Sequence, residues 1–168
     1  MIISIIYLFV CLVLEMLMSN FFTSTLSDIS VFATIYTIIG LVILYPYFNC
    51  SKKYYLLVIM CGVIFDILYA STYMFNLVLF GLVGILVNVL YSLFPENVFM
   101  TNLISFISVL IYHVLCYILL SLFSDISYSF IILVNIIVGS IIMTIIYTTI
   151  SYYVIRFVFN RRGIKYIK

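Results

Sequence analysis

Charge is what this sequence most conspicuously lacks. Of its 168 residues only 7% are Asp, Glu, Lys or Arg, whereas 68% are hydrophobic and the mean hydropathy is +1.43. A soluble domain is roughly a quarter charged, and its helices set a polar face against an apolar stripe. That absence excludes an ordinary water-soluble globule. With one histidine there is little room for metal chemistry, and the four cysteines, Cys11, Cys50, Cys61 and Cys116, show neither a CxxC nor a Cys/His spacing, so no disulfide and no metal site is indicated. Seven Lys and Arg in two short clusters, with no aromatic-interleaved basic groove, exclude a nucleic-acid surface. No HExxH, GxSxG, GxGD-type pair or Ser-His-Asp order occurs, so the sequence points to no enzyme and no cofactor. Tryptophan is missing altogether.

Long apolar runs fill the space that charge leaves. Short breaks, "SNFFTSTLSDIS", "NCSKK", "STY", "PENV" and "SDIS", divide the chain into segments at about 2–18, 31–48, 54–70, 73–94, 99–123 and 130–159. Most approach or exceed the roughly 20 helical residues that a hydrocarbon core of ~30 Å requires. None shows the ~10-residue apolar and polar alternation of a membrane β-barrel. The fold predicted is an all-α integral membrane protein, a single domain over 1–168 in which six transmembrane helices form one compact bundle with antiparallel neighbours. The first segment lacks the basic n-region and small-x-small site of a cleaved leader and is expected to stay in place. Lys52 and Lys53 follow the second segment and Arg161, Arg162, Lys165 and Lys168 follow the sixth, while the opposite loops hold no Lys or Arg. The positive-inside rule then puts both termini in the cytoplasm, with Tyr45, Tyr54, Tyr55, Tyr152 and Tyr153 among the interfacial anchors.

Helices in lipid gain little from burying apolar surface on one another, so small residues and hydrogen bonds mark their contacts. Three stripes fit this pattern: Ala33, Thr37 and Gly40; Gly81, Gly84, Asn88 and Ser92; and Ser140, Thr144, Tyr147 and Ser151. Three ionisable residues inside the apolar runs require a further reason, because an unpaired charge at mid-bilayer costs at least ~2.5 kcal/mol. Glu15, Asp66 and His113 all fall in the outer halves of outward-running helices, on the same side as Asp28, Asn76 and Asp125. Asp66 is expected to belong to a polar patch at the extracytoplasmic side, serving a partner or the bundle geometry, whereas Glu15 and His113 read better as locally satisfied structural groups.

The stretch "CGVIFDILYASTYMFNLVLF" carries a family resemblance. It resembles the rod shape-determining MreD family, whose local signature is an apolar helix with Gly-x-x-x-Asp, a short Gly/Ser turn and a second helix opening with Gly-(apolar)-Asn-(apolar). Gly62, Asp66, Ser71 and Asn76 occupy the matching positions, and Met74 stands where the family commonly has glycine. Length, hydropathy and topology extend the resemblance over the whole chain, but the motif covers only about residues 62–80. The resemblance implies a non-enzymatic, multi-pass subunit of the bacterial cytoplasmic membrane within the cell-elongation complex. It would bind MreC, a single-span protein, and help position the peptidoglycan synthesis machinery beside the MreB filament, the RodA-type synthase and the class B penicillin-binding synthase. It also implies a fold similar to the substrate-binding subunits of energy-coupling-factor vitamin transporters. Those subunits are the alternative, set lower because their first helix typically carries Ala-x-x-x-Ala and the first segment here contains no alanine.

Overall fold

A short helix that no other part of the chain leaves uncovered organises the molecule. The computed structural model describes residues 2–23, 34–48, 51–69, 74–123 and 130–162, and within them the chain forms six α-helices and no strand. They are α1 (Ile2–Thr23), α2 (Tyr36–Leu44), α3 (Ser51–Tyr69), α4 (Phe75–Leu93), α5 (Val98–Phe123) and α6 (Phe130–Arg161), with a 3-10 turn at Tyr45–Tyr47 continuing α2. Every residue of α2 is buried. An all-round apolar helix must be surrounded, and α2 is packed by α1, α4, α5 and α6. Its Ile38, Ile39, Val42 and Leu44 join Leu8 and Leu12 of α1, Leu57 and Val58 of α3, Phe80 and Val83 of α4 and Ile104 of α5 in one core.

Three helical stretches are long and apolar enough to cross a membrane: Phe75–Leu93, Val98–Leu119 and Leu133–Arg161. The outward surface of α6, including Ile131, Val138, Ile142, Ile150 and Phe157, is exposed and apolar, which suits lipid and not water. These are the features of a membrane protein. The apolar helices at Ile2–Met18 and Tyr36–Tyr47 are shorter. At 1.5 Å per residue the second covers roughly 18 Å, against a hydrocarbon core of about 30 Å. Of the segment predicted over 31–48, the described part is α-helical over Tyr36–Leu44, and Pro46 and the 3-10 turn end the regular helix there. Residues 31–33 of that segment lie outside the described residues. The boundary before α3 also moves, since Lys52 and Lys53 belong to its first turn rather than to a loop.

Adjacent helices pair in order, α1 with α2, α3 with α4, and α5 with α6, and α3 packs most extensively on α4. Three glycines mark points of close approach. A Cβ on Gly62 would stand 2.8 Å from the Leu77 Cα, one on Gly40 would stand 2.9 Å from the Cys11 Sγ, and one on Gly84 would meet Val58 Cγ1 at 3.0 Å. Gly81 differs from its neighbour in the stripe, having open space where its Cβ would be. On α6, Ser140, Thr144 and Ser151 face inward and buried, and Thr34 donates from Oγ1 to the Ser140 carbonyl at 3.1 Å.

Candidate functional site

Helices α2 and α4 both begin without a polar N-cap. The residues at that position are Ile35 and Met74, and neither makes a side-chain capping bond. The first amides of any helix lack intrahelical acceptors, and in a membrane a backbone group left without a partner costs several kcal/mol. In α4 the first backbone bond runs from the Val78 N–H to the Met74 carbonyl. The amides before it need acceptors from elsewhere.

Asp66, on the preceding helix, supplies them. Its Oδ1 accepts the Asn76 N–H at 2.8 Å and the Asn76 Nδ2 at 3.1 Å, and its Oδ2 accepts the Leu77 N–H at 3.0 Å. Asn76 is buried and its Oδ1 in turn accepts from the Tyr112 hydroxyl of α5 at 2.6 Å. The carboxyl oxygens also sit at the positive end of the α4 dipole. Gly62, one helical turn before Asp66, lets the first turn of α4 come close enough for these bonds, as the 2.8 Å approach to the Leu77 Cα requires. Two of the signature residues thus make contact and the third makes room for that contact; Ser71 lies outside the described residues. Met74 adopts φ 65° and ψ 7°, the left-handed conformation that glycine enters without steric cost.

Glu15 repeats the device one hairpin earlier. Its buried carboxyl group accepts, through Oε2, the Thr37 N–H at 3.2 Å and the Thr37 hydroxyl at 2.6 Å. Thr37 is the second residue of α2, as Asn76 is of α4. Each of these two return helices is thus capped by an acid from the helix before it.

The other candidates occupy separate places. His113 is half-buried beside Tyr112, with ring centroids 5.8 Å apart, and Asn102 of the same helix hydrogen-bonds to Thr149 of α6 at 3.1 Å. Asn88 lies toward the opposite end of α4, where it donates to the Tyr55 hydroxyl at 3.0 Å and accepts from that of Tyr45. Cys11, Cys61 and Cys116 are free thiols. Asp28 and Asp125 fall outside the described residues. Tyr112 was not singled out from the sequence, yet its hydroxyl ties α5 to the Asp66–Asn76 unit. A carboxylate offers about four acceptor positions, and the three bonds to Asp66 leave little capacity for a ligand. The arrangement holds helices together; its chemistry is hydrogen-bond acceptance.

Compared with protein-family models, curated proteins and solved structures, the chain matches none of them.

Proposed function

We propose that this chain is a non-enzymatic membrane subunit of the bacterial cell-elongation complex, of the MreD kind, which binds an MreC-like single-span protein in the cytoplasmic membrane. In this reading all six helices cross or enter the membrane with both termini cytoplasmic. The observation that carries it is the behaviour of the signature residues: Gly62, Asp66 and Asn76 act as one unit that locks the α3–α4 hairpin. Asp66 then serves partner binding indirectly, by fixing the shape of the hairpin instead of touching the partner. The apolar outer faces of α4 and α6 supply surface for lipid and for a single-span partner alike.

Co-expression with an MreC-like protein, followed by detergent extraction and affinity purification, tests the proposal. Stable co-purification is the predicted result. A tightly retained vitamin together with an energy-coupling ATPase, and no MreC-like protein, would replace this reading by the transporter one.

A further inference from the structure

At the end of the bundle where α2 and α4 finish and α5 begins, a cavity of about 790 Å³ opens between the 3-10 turn, the α4–α5 connection and the last third of α6. That volume is in the range of sites that enclose small ligands. Its wall divides into two chemical halves. One half favours a cation: the Glu96 carboxylate, the rings of Tyr45, Phe48 and Tyr91, and the negative dipole ends of α2 and α4 all border it. Tyr45 and Tyr91 stack at 5.1 Å between centroids, 18° from parallel, so this half is a fixed aromatic surface. The other half carries Arg156, an exposed side chain one turn along α6 from Tyr152, whose hydroxyl it reaches at 3.4 Å. Arg156 is the only cation lining the cavity among the described residues, and a guanidinium matches the geometry of a phosphate.

Glu96 and Arg156 are within Coulomb range of each other. Although much of Glu96 reaches the surface, partial burial pushes its carboxyl up to about 7, against the pull of Arg156. A cation bound beside it would restore the charged form. The cavity also lies toward the ends of α4 and α6, two of the helices long and apolar enough to cross a membrane; if they do cross it, this end of the bundle falls near the lipid headgroups.

We propose that this cavity binds a phosphate ester bearing an ammonium group, with the phosphate on Arg156 and the ammonium between Glu96 and the tyrosine rings, and that its occupant is the headgroup of an aminophospholipid. The site lies at the opposite end of α4 from the Asp66 cap and does not depend on the cell-elongation reading.

Extraction of the full chain from membranes containing equal amounts of phosphatidylethanolamine and phosphatidylglycerol, followed by native mass spectrometry, tests it. The wild-type protein is expected to retain phosphatidylethanolamine over phosphatidylglycerol by about tenfold, the scale of one charge-assisted contact. Glu96→Gln should abolish that preference while leaving phosphatidylglycerol retention unchanged, and Arg156→Gln should lower retention of both. A parallel arm offers free phosphoethanolamine to delipidated protein: saturable binding there, with no lipid retained, would keep the headgroup chemistry but assign it to a soluble ligand. Equal retention of the two lipids by the wild type, with no binding of free phosphoethanolamine, would overturn the proposal without reference to either variant.

Discussion

Asp66 shows how a single acidic residue persists in an apolar run. Its bonds to the Asn76 and Leu77 amides satisfy donors that no side chain at the start of α4 can reach, because Met74 and Phe75 carry no acceptor. Bonds of this kind contribute more than neutral ones, about 1.5 to 3 kcal/mol when a charged group takes part. The same local structure makes Met74 costly. A non-glycine residue in the left-handed region loses roughly 1 to 2 kcal/mol to the clash of its Cβ, and the Met74 side chain is 70% exposed, so packing returns little. Met74→Gly is expected to raise stability by about 0.5 to 1 kcal/mol, the steric relief less the added chain entropy of glycine. Denaturant or thermal unfolding in detergent checks it, and unchanged or lowered stability would contradict the strain. The sequence carried part of this arrangement. Gly62, Asp66 and Asn76 were legible as a set through the resemblance, but their physical relation was not, since the groups that Asp66 binds are mostly backbone amides, which have no letter of their own.

Pairing between helices determines what each element tolerates. Gly62 and Gly81 lie on different helices, the first a residue of the signature and the second of a small-residue stripe. The structure separates them. At Gly62 a Cβ would press on the backbone of Leu77 at 2.8 Å, whereas at Gly81 it would meet nothing within 4 Å. Gly62→Ala is therefore predicted to destabilise by about 1 to 3 kcal/mol through overpacking. Gly81→Ala should be neutral or stabilising by up to ~1 kcal/mol from helix propensity alone. Unfolding of the two variants side by side checks the contrast, and similar losses at both sites would contradict it. The helices themselves were legible as apolar runs, and their boundaries less so. The run over 31–48 is apolar throughout, so hydropathy gave no sign that its regular helix ends at Leu44; only "YPY" marked the change. The Glu15–Thr37 bond joins residues 22 positions apart, a separation at which no local pattern links an acid to the helix it caps.

For the whole molecule, the orientation proposed here rests on the asymmetric placement of Lys and Arg and not on the packing. In that proposal α4 runs inward, so its two exposed flanks, Met74 and Asn97, would lie on opposite sides of the membrane. A single cysteine introduced at Met74, in a background free of the native four cysteines, should react with a membrane-impermeant thiol reagent in intact cells. One introduced at Asn97 should react only after permeabilisation, and the reverse pattern would invert the topology. Membrane residence itself was legible from composition, because 7% charge over 168 residues leaves no polar face for a water-soluble fold. The burial of α2 at the centre was not, since in lipid an all-apolar helix is equally suited to the inside and the outside of a bundle.

Residue-resolved hydrogen exchange of α4, compared between wild type and Asp66→Asn, tests the central claim most directly. The amides of Asn76 and Leu77 lie in the first turn of α4, where the helix gives them no acceptor, so protection there must come from Asp66. Both amides should be protected in the wild type. In Asp66→Asn, which keeps one carbonyl oxygen and turns an NH₂ toward the other donor, at least one of the two should exchange about tenfold faster or more. The amides of Val83 and Val87 in the same helix should be unchanged. Exchange at Asn76 and Leu77 that is already fast in the wild type, or that is identical in the variant, would contradict the account.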